Sequence, residues 1–241
     1  MSGAGQITGG GGGFVPIEKY KDIEKRIIDN NIADGVVFSG GGKVWGGKIT
    51  QKAAIEKTNN ILEGIYDIES RLKIKLPKVS KVWVTGSKRG AAHGILPAGE
   101  SQITFANEWS AENWKNIKAW EAKHPRTNWN GNPAEKHTVT NVRHEYGHII
   151  DGDIGNKLPG ASKKGRLNRR LTDSDEFKAM QLEVFKTDGF ASSKISNYAK
   201  TNSKEWFAEA FSQYTSKHYK GNFPKRLENY LDGVLDYYKV D

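Results

Sequence analysis

His144-Glu145-Tyr146-Gly147-His148 (HEYGH) lies inside the run HTVTNVRHEYGHIID at residues 137–151, and its reading decides how the rest of the chain is arranged. Within that run Val139, Val142, Tyr146 and Ile149 fall at i, i+3, i+7 and i+10, the spacing of an apolar helical face. The spacing predicts a helix over residues 137–151, with Gly152 as its C-terminal stop. Residues four apart on a helix stand one turn above each other on the same face. His144 and His148 can therefore each give one nitrogen to a single zinc ion at about 2.0–2.1 Å. Glu145, beside the first histidine, can reach a water on that ion without binding the ion itself. Zinc lowers the pKa of such a water from about 15.7 toward ~7, and the carboxylate takes its proton as it attacks a polarised carbonyl.

A catalytic zinc needs a third protein ligand and one open position. Position 154 is Ile, which removes the metzincin pattern with a ligand six residues after the second histidine. Asp151, three residues past His148 on the same helix, is better suited to hydrogen-bonding the far nitrogen of a histidine. The remaining candidate is a glutamate from a later helix, the gluzincin arrangement, and the stretch SKEWFAEAF at residues 203–211 supplies it. Glu205 and Glu209 stack on one face of that helix, while Phe207 and Phe211 take an adjacent face suited to the core. On spacing alone, one of the two glutamates is the ligand and the other its supporting partner.

Taken together, HEYGHIID (residues 144–151) and YAKTNSKEWFAEAF (residues 198–211) resemble the zincin domain of anthrax lethal factor and related proteins. In that family HExGHxxD is followed by a tyrosine seven residues before a glutamate, within Y-x-x-T-N-x-x-E-(aromatic)-F-A-E-A-F. The resemblance implies a zincin-like α+β fold with a small mixed sheet, an HExxH helix and a C-terminal helical subdomain. It implies a zinc-dependent endopeptidase of restricted specificity acting on a peptide or protein substrate. Glu205 would then be the third ligand beside His144 and His148, with Glu145 as the base. Tyr198 would donate a hydrogen bond to the oxyanion or leaving group, and Glu209 would support the metal site from outside it. Similar domains occur in minor head proteins of bacterial viruses and in polymorphic toxins. A viral particle or toxin assembly is thus an expected setting, and a virion- or effector-associated binding role is the alternative to hydrolysis. The match runs from His144 to Tyr214, and nothing before residue 137 carries a comparable signature.

Outward from the motif, residues 16–136 read as N-terminal helices and sheet and residues 137–241 as metal-site helices of the same domain. Residues 1–15 read as a flexible tail around the glycine run Gly9 to Gly13. Pro16 opens a helical pattern carrying Ile17, Tyr20, Ile23 and Ile27; a second helix, residues 49–72, keeps Ile61, Ile65, Ile68 and Leu72 on one side. Residues 36–38, KVWVT at 81–85 and SQITFA at 101–106 read as strands, residues 109–123 as a helix and 125–133 as a loop. Three helical patterns finish the chain. Phe177, Met180 and Val184 mark the first, which Gly189 ends; the second begins near Ser203; Pro224 opens the third, with Leu227, Tyr230, Leu231, Val234 and Leu235 inward. Strands first and helices afterwards give an α+β arrangement. In SQITFA, Ile103 and Phe105 alternate with polar neighbours, as a half-exposed strand does, and this strand is the candidate for an exposed edge. A strand edge can pair with an extended peptide, which nominates Ile103 and Phe105 as substrate-binding residues.

The 241 residues include no cysteine, which excludes disulfides and thiolate zinc sites. No stretch approaches the ~20 apolar residues needed to span a bilayer. The opening residues, MSGAGQITGGGGGF, lack the basic start and apolar middle of a signal peptide, so a cytoplasmic or virion-associated location is expected. The net charge is +9, and Lys163, Lys164, Arg166, Arg169 and Arg170 crowd one stretch. Such a patch could meet nucleic acid, but no nucleic-acid-binding motif accompanies it. A solvated loop is the better reading, and a nucleic-acid partner ranks last.

Overall fold

The computed structural model describes residues 13–39, 49–85, 92–95, 101–105, 137–158 and 170–240. Helix α1 (Ile23–Asp29), entered through a 3₁₀ turn at Tyr20–Asp22, leads to strand β1 (Val36–Ser39), helix α2 (Gln51–Leu72) and strand β2 (Lys81–Thr85). β1 and β2 run parallel, Val36 beside Val82 and Phe38 beside Val84, with α2 as the crossover that a parallel pair requires. The Thr50 hydroxyl caps α2 by accepting from the Ala53 N–H, and Lys73 ends it at φ 52°. Strands β3 (Ala92–Ile95) and β4 (Ser101–Phe105) complete a four-stranded sheet in the order β1-β2-β4-β3. β4 is parallel to β2 and antiparallel to β3, so the sheet is mixed. In β2, Val82 and Val84 are buried while Lys81 is exposed, so this strand buries one face rather than its whole length.

Helices follow: α3 (His137–Lys157), α4 (Asp175–Lys186), α5 (Ser203–Tyr214) and α6 (Lys225–Asp236). Together with the sheet they make the α+β arrangement expected from the order of patterns. α4 ends before Gly189, which adopts φ +61° and lets the Phe190 N–H return to the Val184 carbonyl. Pro224 precedes α6, whose Leu227, Leu231, Val234 and Leu235 are buried. An aromatic cluster ties α4, α5 and α6 together: Phe177 meets Trp206, Phe207 and Tyr230 edge to face, at centroid distances of 5.8, 6.0 and 5.8 Å.

Two boundaries differ from expectation, each for a reason outside the local pattern. Pro16 opens no helix. The Asn59 carboxamide on α2 accepts from the Ile17 N–H at 2.7 Å and donates to the Ile17 carbonyl at 2.9 Å, so this segment is pinned before any helix starts. Gly152 does not stop α3, which continues to Lys157. A glycine inside a helix costs about 1 kcal/mol relative to alanine, whereas burying one isoleucine side chain returns roughly 1.5–3 kcal/mol. The added turns bury Ile154, and Asp153 accepts from the Tyr238 hydroxyl at 2.6 Å.

α3 is central rather than superficial. Val139, Val142, Tyr146 and Ile149 are buried as their spacing predicts, but so are Asn141, Arg143, His144, Glu145, His148 and Asp151. α2 packs on one side and α5 on another. Toward α2, the Arg143 guanidinium donates to the Asp67 carboxylate at 2.6 Å. The guanidinium is buried and the carboxylate is part-buried, so this is a charge-assisted hydrogen bond of appreciable strength. Asp67→Ala should therefore lower unfolding stability by about 2 kcal/mol, read as a lower denaturant midpoint at constant slope. A midpoint shift near zero would mean that the bridge holds nothing together.

Residues 40–48, the helix expected at 109–123, the loop expected at 125–133, the expected tail through residue 12 and most of the basic cluster lie outside the described residues. Among the described residues no helix is long and apolar enough to cross a membrane.

Candidate metal centre

Two helices build the site. α3 carries His144 and His148 one turn apart. α5 begins where the Asn202 side chain accepts from the N–H groups of Lys204 and Glu205, at 2.9 and 3.0 Å, which sets Glu205 in the first turn. A carboxylate there sits favourably at the positive end of the helix dipole. The helices are joined directly: the Ser212 hydroxyl donates to the Thr140 carbonyl at 3.1 Å, and Gly147 lies against the backbone of Ala208. Trp206, Phe207 and Phe211 anchor the far side of α5 in the core.

The result is a triangle of ligand atoms. Nε2 of His148 is 3.1 Å from Nε2 of His144 and 3.1 Å from Oε2 of Glu205; Nε2 of His144 is 3.2 Å from the same oxygen. A tetrahedral ion with bonds of about 2.0–2.1 Å has ligands roughly 3.3–3.4 Å apart, so a zinc-sized ion fits with a modest spread of the three atoms. The donor set, two imidazoles and one carboxylate with no thiolate, is one that first-row divalent metals, zinc among them, accept.

Electrostatics point the same way. Burial works against charge on His144, but the hydrogen bonds it donates to Glu205 and Glu209 and the charges of Glu209 and Glu145 outweigh it and hold its pKa up to about 10. Burial likewise opposes ionisation of Glu205, and His144 and His148 overcome it, so its carboxyl lies well below the usual range. The cluster demands positive charge at its centre, which protons or a divalent ion can supply.

The surrounding residues fall into place around this triangle. Oε1 of Glu209 stands 2.7 Å from Nδ1 of His144, the contact that leaves Nε2 of that ring facing Glu205 and His148. Glu145 is buried beside them and its charge acts on His144 and Tyr198. Tyr198, in the 3₁₀ turn Tyr198–Lys200, has its ring 5.9 Å from that of His144 and its hydroxyl hydrogen-bonded to Glu205. Desolvation first, then the Glu205, Glu145 and Glu209 charges, push its pKa up, so it stays a phenol and a donor. Ser196 accepts from the Ala199 N–H at 2.9 Å, and Gln213 on α5 donates to the Ile195 carbonyl at 2.5 Å; these bonds fix the turn that presents Tyr198.

Three expectations are corrected. Asp151 does not orient a histidine: its carboxylate accepts from the Thr172 N–H at 2.8 Å, the Thr172 hydroxyl at 3.2 Å and Arg170 at 3.2 Å. It ties the segment entering α4 to the metal-site helix instead. Ile103 and Phe105 do not lie on a free edge, because β4 pairs with β2 on one side and β3 on the other; among the described residues β3 is the edge strand on that side, as β1 is on the opposite side, and β3 lies against α3. Arg170, counted with the basic cluster, is engaged by Asp151 and is no part of a solvated patch. Gly147, a residue that inside a helix costs about 1 kcal/mol, serves the close packing of α3 on Ala208 of α5, a partner the motif alone does not reveal.

Compared with models of known protein families the chain matches none, and no curated protein matches it in sequence.

Proposed function

We propose that the chain is a zinc-dependent endopeptidase of the gluzincin type, with a zincin-like fold. The observation that carries this reading is the triangle of His144, His148 and Glu205 with the buried carboxylate of Glu145 beside it. When bound, zinc polarises the scissile carbonyl and brings the pKa of a water toward ~7. Glu145 then takes the proton of the attacking water and returns it to the leaving amine. Tyr198, kept neutral, donates its phenol hydrogen to the oxygen that gains charge. Glu209 holds His144 in the tautomer whose Nε2 is free to ligate. An extended substrate would lie along β3, the edge strand beside α3, pairing through its backbone.

The test uses a mixed-sequence peptide library incubated with zinc-loaded and with chelator-stripped protein. New peptide termini arising only with the loaded protein support the assignment. An unchanged library in both samples overturns it and leaves a metal-binding or assembly role for the same site.

A further inference from the structure

We propose that the contact between Gly147 and Ala208 sets the size of ion the site accepts, an inference that rests on the metal-centre reading above. Gly147 lies between the two histidines on α3, and Ala208 lies one turn beyond Glu205 on α5. A Cβ at position 147 would stand 2.8 Å from the Ala208 Cα, 3.2 Å from its Cβ and 3.3 Å from its carbonyl oxygen. The nearest atom is backbone, so no rotamer change relieves the clash. Ordinary contact starts at 3.4 Å, and reaching it from 2.8 Å moves the helices apart by about 0.6 Å.

That displacement falls directly on the ligands. His144 and His148 ride on α3 and Glu205 on α5, and their ligating atoms stand only 3.1–3.2 Å apart. Tetrahedral zinc holds its ligands roughly 3.3–3.4 Å apart, so a shift near 0.6 Å would open the two distances from Glu205 to the histidines to about 3.7–3.8 Å, beyond the span of a zinc-sized ion. The bare glycine therefore keeps the triangle small, and any side chain there opens it toward a larger ion.

Gly64 on α2 provides a matched control. A Cβ there would meet Cβ, Cγ1 and Cγ2 of Val142 at 2.6, 2.7 and 2.8 Å, an insult of the same severity on the face of α3 that meets α2, a helix with no ligand in the triangle.

The experiment measures Zn²⁺ and Cd²⁺ affinities by chelator competition for wild type, Gly147→Ala and Gly64→Ala. Gly147→Ala should lose about tenfold or more in zinc affinity while binding the larger Cd²⁺ nearly as before, shifting the ratio by the same factor. Gly64→Ala should lower the melting temperature and leave the ratio where it was. If Gly147→Ala does not fold, Ala208→Val wedges the same gap from the α5 side and must move the ratio the same way. An unchanged ratio in the folded variant overturns the proposal. Failure of the metal-centre reading itself looks different: wild type binds neither ion, or binding survives His144→Ala.

Discussion

If the chain is the zinc peptidase proposed above, Glu145→Gln should keep its zinc and lose most of its peptidase activity. Glutamine matches glutamate in shape, and Glu145 is no member of the ligand triangle, so the two histidines and Glu205 are left as they stand. What disappears is a group able to take a proton from water and hand it to the leaving amine, an exchange worth about 10²–10⁴-fold in rate. Elemental analysis should return the wild-type zinc content, and kcat should fall within that span with KM little changed. A variant that cleaves as fast as wild type would remove Glu145 from the mechanism; one that loses the metal would assign it a structural role instead.

Glu205→Ala should empty the proposed metal site. Of the three ligand atoms this is the only one on α5, and its carboxyl is held ionised by His144 and His148. Two histidines alone leave zinc with two protein bonds in place of three. Wild type dialysed against metal-free buffer should keep close to one zinc per chain, and the variant should keep almost none. Its backbone should stay folded, because Trp206, Phe207 and Phe211 anchor α5 independently of the carboxylate. Zinc retained at the wild-type level would exclude Glu205 as a ligand and turn attention to Glu209, which stands on the far side of His144.

What the sequence discloses about this molecule follows from how far apart the interacting residues lie. His144 and His148 are four residues apart, and the helical period alone places them together. Glu205 comes from a second local pattern, a helix with stacked acids beside buried aromatics, and the family likeness chooses it over Glu209. The misread features depend on partners that no local period encodes. Asn59 reaches back 42 residues to Ile17, and Asp151 reaches forward 21 to Thr172. Alternation in SQITFA reports a strand with two unlike faces; it does not report which strands flank it, and β3 takes the edge. Gly152 illustrates the same limit, since a stop signal worth about 1 kcal/mol yields to burial that only the assembled core supplies.

Every residue assigned to the metal site or its chemistry falls between His144 and Glu209, a stretch short enough in sequence to suggest a cassette. The bridge from Arg143 to Asp67 and the seating of Val142 on Gly64 show why it is not autonomous. Cut free of α2, α3 would present Val142, Tyr146 and the Arg143 guanidinium to water on the side opposite its ligands. A host scaffold grafted with the motif would inherit the metal's contacts without the layer that keeps α3 in place. Transferable modularity therefore ends at the sheet-and-helix unit behind the motif, and engineering of this site has to begin from residues that never touch the metal.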